Sequence, residues 1–299
     1  MKKATVFLIA ILSGLASLAH GIDGCGSAQI NAGLGQIGRL NYFGVNYGLV
    51  FNSFSSQNIW GQKITEKYNT HNVNLGGRLF LTNWMAIKFN TVYNYSIIDT
   101  EGDLLTQSGL GDSRFMFEFP IINNGEGNLK SYIALGAGVE TPTGKSSNNI
   151  HLKSFSIGSG SWDFPINIQG IIRNDKKALA FSAEYQLNSF NQNYYKFGNQ
   201  FTLAISGIKK IELPAIKMNF SLGMQFLNFG GDIYEDEYYY NAYSNEFTAL
   251  MINAMTQLSF ETTTFQLGYN LPAYLISESA SDITIHWLSI GVFKTLNKG

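Results

Sequence analysis

One pattern recurs along most of this chain: segments of about ten residues in which every second side chain is apolar and those between are small or polar. In NVNLGGRLFL (72–81), Val73, Leu75, Gly77, Leu79 and Leu81 fall on one side, and Asn72, Asn74, Gly76 and Arg78 on the other. In DSRFMFEFP (112–120), Phe115, Phe117 and Phe119 alternate with Arg114, Met116 and Glu118. SYIALGAGVE (131–140), NQFTLAISG (199–207) and KMNFSLGMQF (217–226) alternate in the same way. A period of two sends successive side chains to opposite faces of a strand. About 9–11 such residues is also the length a strand needs to cross a bilayer.

No apolar run beyond the N-terminal leader approaches the ~20 residues of a spanning helix. The composition fits a chain that crosses with strands. Charged residues make up 14% of it, against ~25% in ordinary soluble domains, and aromatics another 14%. In hydrocarbon every backbone N–H and C=O must be paired within the protein, so only a closed sheet can span without an edge.

The segments predict twelve strands, near 39–53, 71–82, 84–97, 110–120, 129–141, 161–173, 178–190, 197–207, 215–229, 246–259, 264–273 and 283–294. Connections after odd-numbered strands are mostly long and polar, and those after even-numbered strands mostly short. That rhythm matches outer-membrane barrels, which have short periplasmic turns and long external loops. The fold expected is therefore all-β: a transmembrane, antiparallel, up-and-down β-barrel of about twelve strands spanning 39–299. A soluble sandwich has short strands at similar spacing, but not long loops confined to one end.

Tyr42, Trp60, Trp84, Tyr93, Tyr95, Trp162, Tyr185, Tyr269 and Trp287 fall near predicted strand ends, suiting interfacial girdles. The chain ends IGVFKTLNKG, which leaves Phe293 six residues short of the terminus, so the last strand is either followed by a small tail or recognised differently from barrels that end on an aromatic residue.

The first residues set the compartment. MKK is a positive n-region, ATVFLIAILSGLASLA an apolar core, and Ser17-Leu18-Ala19 or Ala19-His20-Gly21 a cleavage site. We expect a signal peptide over 1–21, an N-terminal periplasmic segment over 22–38, and a barrel in the outer membrane of a Gram-negative-type bacterium, surrounded by its lipids. Cys25 is the single cysteine, so no internal disulfide forms. Its two readings are a free thiol and, with IDG before it, a lipid-modified residue; Asp23 argues against the second. With 20 Lys+Arg against 21 Asp+Glu, nothing points to a nucleic-acid partner.

GVETPTGKS (138–146) has the look of a phosphate loop. It fails on count, because five residues separate Gly138 from Gly144 and the motif requires four. Pro142 also removes a backbone donor. The stretch reads instead as a strand end, with Pro142 stopping the ladder and Gly144 turning the chain into an external loop.

Catalytic patterns are weak. His71, His151 and His286 are the histidines of the mature chain, none in a His-x-Ser arrangement, and each is expected in a loop or in the lumen. No metal-ligand spacing occurs, and the acidic, tyrosine-rich DIYEDEYYY (232–240) lacks the ligand order of a calcium loop. Neither an enzyme nor a cofactor is expected.

Strand parity sends Arg78, Lys88, Arg114, Glu118, Lys130, Glu140 and Glu184 to the lumen. A Lys or Arg facing lipid at mid-depth costs ~2–4 kcal/mol, which favours the inward placement. Inside, these charges either line a narrow aqueous path or pair into a network, and mixed networks are the favoured expectation. Twelve strands fall between filled eight-stranded barrels and open porins, so the lumen should be narrow.

GLGDSRFMFEFP, GVETPTGK and GSGSWDF carry a resemblance. The chain resembles the MetA-pathway phenol-degradation family of exported barrel proteins, described as outer-membrane transporters. Its pattern maps onto Gly109, Gly111 and Asp112, then Pro142, Thr143 and Gly144, then Gly158, Gly160 and Asp163. The N-terminal GCGSAQINAGLGQIG also looks like that of related proteins. The resemblance implies a channel or transporter for small, hydrophobic or aromatic solutes and supplies no catalytic residues. Two functions are thus carried forward: a passive channel, and a structural or surface-interaction barrel with a plugged lumen and working loops.

Overall fold

The computed structural model describes residues 40–57, 63–100, 103–144, 157–234, 246–277 and 282–296. The expected leader and N-terminal segment, Cys25, Trp60, Lys145, His151 and most of the 232–240 stretch lie outside the described residues.

In chain order the strands are β1 (Asn41–Gln57), β2 (Lys63–Phe80), β3 (Ala86–Thr100), β4 (Asp103–Leu110), β5 (Ser113–Asn124), β6 (Lys130–Thr141), β7 (Phe164–Arg173) and β8 (Lys177–Leu187). They continue with β9 (Tyr195–Lys196), β10 (Gln200–Leu213), β11 (Ile216–Phe229), β12 (Ile233–Tyr234), β13 (Phe247–Phe260), β14 (Thr263–Ser277) and β15 (Asp282–Leu296). Every pairing is antiparallel, and β1 joins β15 to close the ring. Thirteen strands form this sheet, but β4 and β5 succeed one another along β3, broken at Gly111-Asp112. The barrel therefore has the expected twelve staves. β9 and β12 form a separate two-residue ladder.

The main departure from expectation is length. The stretches read as the first two long loops are mostly paired strand, β1 with β2 from Gln57↔Lys63 downward and β3 with β4 from Thr100↔Asp103. IKKIELPA likewise continues β10, leaving only residues 214–215 as the turn before β11. The physical reason is that alternation marks only the part of a strand that faces hydrocarbon. Beyond the bilayer a strand keeps its ladder while its outer side chains become polar, so the pattern fades before the strand does.

Burial is inverted relative to a soluble protein. Phe117 is 50% and Leu222 65% exposed, whereas Arg78 and Arg114 are 1% and 2% exposed. An apolar coat around a polar interior is the arrangement hydrocarbon requires. Tyr93, Tyr95, Trp84, Trp162 and Tyr185 are exposed, as a girdle needs. Two expected girdle residues are not: Trp287 is buried on the inner face of β15, and the Tyr42 ring lies inside beneath the Arg78 guanidinium, 5.4 Å from its centroid. The parity of β1 and β15 decides this, since Gly44 and Asn46, like Ser289 and Gly291, are buried on the same faces.

The histidine expectation is also corrected. His71 and His286 sit within strands on the outer face, neither in loops nor in the lumen. Each ring is satisfied by a tyrosine, His71 Nδ1 with the Tyr47 hydroxyl at 2.6 Å and His286 Nδ1 with that of Tyr269 at 2.9 Å. A paired, aromatic-flanked imidazole is an amphipathic group suited to an interface.

Candidate functional site

The inner face of β2 to β8 carries two adjacent ionic clusters. Glu118 on β5 takes a hydrogen bond from Arg78 Nη1 at 3.0 Å, Lys88 Nζ at 2.5 Å, the Tyr132 hydroxyl at 2.5 Å and Gln169 Nε2 at 2.5 Å. Arg78 also donates through Nε to the Leu40 carbonyl at 3.1 Å, and its guanidinium lies 5.3 Å from the Phe80 ring centroid. Two residues along β5, Met116 separates this group from the next. Arg114 donates through Nε to Glu140 at 2.9 Å, through Nη1 to Glu184 at 2.5 Å, and through Nη2 to the Gln186 carbonyl. Gln186 in turn donates to Glu140 at 3.3 Å, and Asn167 to Glu184 at 3.3 Å.

Six of the seven charges assigned to the lumen by parity are thus brought together, three cations against three carboxylates. Lys130 shares the inward parity but stands at the first position of β6, opposite Arg173, and belongs to neither cluster.

The inner face from β11 round to β1 is different. It presents Gln225, Asn253, Gln257, Gln266, Asn270, Ser289 and Asn46, all buried and all uncharged. Gln257 donates to Gln266 at 3.1 Å, but several neighbouring polar atoms have no partner among the described residues. These residues and the neutral partners Tyr132, Asn167, Gln169 and Gln186 were not singled out from sequence. Their parity points inward, but a neutral side chain is tolerated on either face near a strand end, so parity alone does not mark them as a site.

Below the ionic clusters, Tyr132, Ala134, Ile171, Ala178, Ala180 and Ile208 make an apolar patch on β6 to β10. Met255 from β13 and Phe80 from β2 pack against it, although neither strand neighbours that wall. Side chains therefore meet across the lumen at this level and narrow it.

The three motif segments behind the family resemblance converge at the barrel end that carries the long connections. Asp112, between β4 and β5, takes hydrogen bonds from Gly144 N at 2.8 Å, Ser159 N at 2.6 Å and Ser159 Oγ at 2.8 Å. Thr143 Oγ1 donates to the Gly111 carbonyl at 3.0 Å. Gly144 and Gly158 touch so closely that a Cβ on Gly144 would lie 2.6 Å from the Gly158 Cα, which is backbone and cannot yield. Gly144 is therefore required for this close approach between chain segments. β6 does end at Thr141, just before Pro142.

Asp163 completes the knot. Its Oδ1 takes hydrogen bonds from Ser161 Oγ and Ser189 N, both at 2.9 Å, while its Oδ2 has no partner among the described residues. Burial pushes its carboxyl up to about 6 against the donors that favour ionisation, and nearby Glu140 adds to the rise. Burial also raises Asp112, opposed by its Ser159 and Gly144 donors. The backbone of Asp163 bridges that of Glu140, whose side chain holds Arg114, so rim and lumen network share one residue.

Among solved structures, an outer membrane channel from Pseudomonas putida F1 matches with a TM-score of 0.61 at 14% identity, over 86% of this chain and 96% of that one. The NanC porin matches with a TM-score of 0.47 at 11% identity, over 85% and 100%. At 14% identity the first likeness is one of fold, and the fold is that of an outer-membrane barrel. No family model and no curated protein matches the chain.

Proposed function

We propose that this chain is a passive channel for small solutes in the outer membrane of a Gram-negative-type bacterium, reached through its N-terminal leader and driven only by the solute gradient. The observation that carries the reading is the polar inner face enclosed by an apolar, closed barrel. A barrel whose sole task was to sit in the membrane would be more stable with an apolar interior, because each buried polar group must be matched or costs about 1–3 kcal/mol. The chemistry proposed is non-enzymatic. Convergence of all three motif segments on one rim knot supports the MetA-pathway resemblance. The hydrophobic or aromatic solute it implies rests on that resemblance alone.

A second reading has its own observation. Arg78, Arg114, Glu118 and Glu140 are each at most 2% exposed, as in a plugged lumen whose external loops do the work. Planar-bilayer conductance and vesicle uptake separate the two. Steady conductance with solute uptake is expected of the channel; neither would be seen from a plugged barrel.

A further inference from the structure

The channel reading is deepened by the polar atoms left unmatched on one wall. Asn270 on β14 stands directly across from Trp287 on β15, and Ser289 follows two residues on along the same face. Gly291 comes next, and the Asn46 Oδ1 of β1 lies 3.0 Å from where a Cβ on Gly291 would sit. The four side chains therefore form one stripe over three adjacent strands, and none is more than 7% exposed. Both amide atoms of Asn270, the Trp287 Nε1, the Ser289 Oγ and the Asn46 Oδ1 have no partner among the described residues. Gln225 Nε2, on the same wall, is a sixth such atom.

We infer that this stripe is the solute-selecting wall of the channel, shut from water while side chains meet across the lumen and reached when they part, and that it selects uncharged solutes bearing hydroxyl or amide groups. The unmatched set contains both signs: Asn270 Nδ2, Trp287 Nε1 and Gln225 Nε2 donate, Asn46 Oδ1 and Asn270 Oδ1 accept, and Ser289 does either. An anion satisfies the donors and leaves two amide oxygens facing it, and a cation does the reverse. A hydroxyl or amide donates and accepts at once, so it matches the whole stripe. Because neither end of Asn270 has a partner among the described residues, turning its amide over changes nothing. The opposite wall adds no preference for ions, since its three cations and three carboxylates compensate one another. The Trp287 ring supplies a flat surface beside the amides, an arrangement of polar anchors on an aromatic wall common in small-molecule sites.

The inference rests on the channel reading, and uptake measurements can fail it separately. The purified chain is refolded into vesicles held at zero potential, and uptake is followed for labelled arabinose against arabinonate and for glucose against glucosamine. Each neutral sugar is expected to enter at least about tenfold faster than its ion. Equal rates within either pair would overturn the selectivity while leaving the channel standing. No uptake of any solute would overturn the channel and the inference with it. Asn270→Leu and Ser289→Ala are each expected to slow sugar uptake about threefold or more, the loss of one or two neutral hydrogen bonds. Wild-type sugar rates in a folded variant would remove the stripe from the path.

Discussion

The two walls of this barrel solve the same problem with opposite completeness. On the β2–β8 wall, Arg114 and Glu118 each engage three or four partners. On the β11–β1 wall, Asn270 engages none among the described residues. The difference follows from charge. An ion taken out of water costs several kcal/mol unless it is paired and hydrogen-bonded, so a charged wall must be finished. A neutral amide left unmatched costs only about 1–3 kcal/mol, which a barrel with many ladder bonds can carry. The finished wall is thus a structural brace, and the unfinished one retains bonding capacity for something else.

Removing one member of the brace should give the largest effect. Arg114→Met leaves Glu140 and Glu184 without their shared cation, and breaking a buried pair from one side costs about 3–5 kcal/mol. The urea midpoint of the detergent-folded barrel should fall accordingly. The triple variant Arg114→Met, Glu140→Gln, Glu184→Gln removes the charges together and should recover much of that loss. A triple variant as unstable as the single one would break the contrast between finished and unfinished walls.

The rim is the next strongest element. Asp112→Ala strips the acceptor from Gly144 N, Ser159 N and Ser159 Oγ, an expected loss of about 2–3 kcal/mol because rim water replaces part of what is removed. The same urea titration measures it. A change below the error of the midpoint would mean the knot organises the connections without bracing the barrel.

How much of this was legible in the sequence depends on what each residue answers to. Strand count and inward parity were legible, because Phe115, Phe117 and Phe119 must face lipid and so force Arg114 and Glu118 inward. Strand ends were not: Lys209 and Lys210 break the apolar alternation although β10 runs on to Leu213. The ionic partners were legible as a set but not as pairs, since Arg114 on β5 meets Glu184 on β8, seventy residues away, across β6 and β7. The amide wall was missed because Asn, Gln and Ser are tolerated on either side of a membrane interface. The motif glycines were visible, but their reason, the contact of Gly144 with Gly158, exists only once two distant segments meet.

A smaller effect concerns pH. Asp163 has its folded carboxyl raised to about 6 from 3.8, so between those values the folded state binds more protons than the unfolded one. The contribution of Asp163 to stability then rises as pH falls through 6 towards 4, by about 1–2 kcal/mol. Asp112, also raised, acts with the same sign. Asp163→Asn should therefore flatten most of the slope and leave a remainder. Urea midpoints of both proteins at pH 7, 6, 5 and 4 would test this, and identical slopes for the two would overturn the assignment.

The smallest effect on stability is the sharpest test of the comparison, because its sign is opposite to that at Arg114. Asn270 is 1% exposed and makes no hydrogen bond among the described residues, so none of them offsets the desolvation of its amide. Leucine has the same branched arrangement of four side-chain heavy atoms and carries no polar atom. Asn270→Leu should leave the urea midpoint unchanged or raise stability by up to about 1 kcal/mol, as expected when an unmatched polar group gives way to an apolar one of similar shape. A loss of 2 kcal/mol or more, on the scale of a broken buried hydrogen bond, would mean that Asn270 is held by partners in the membrane. The amide wall would then be as finished as the charged one.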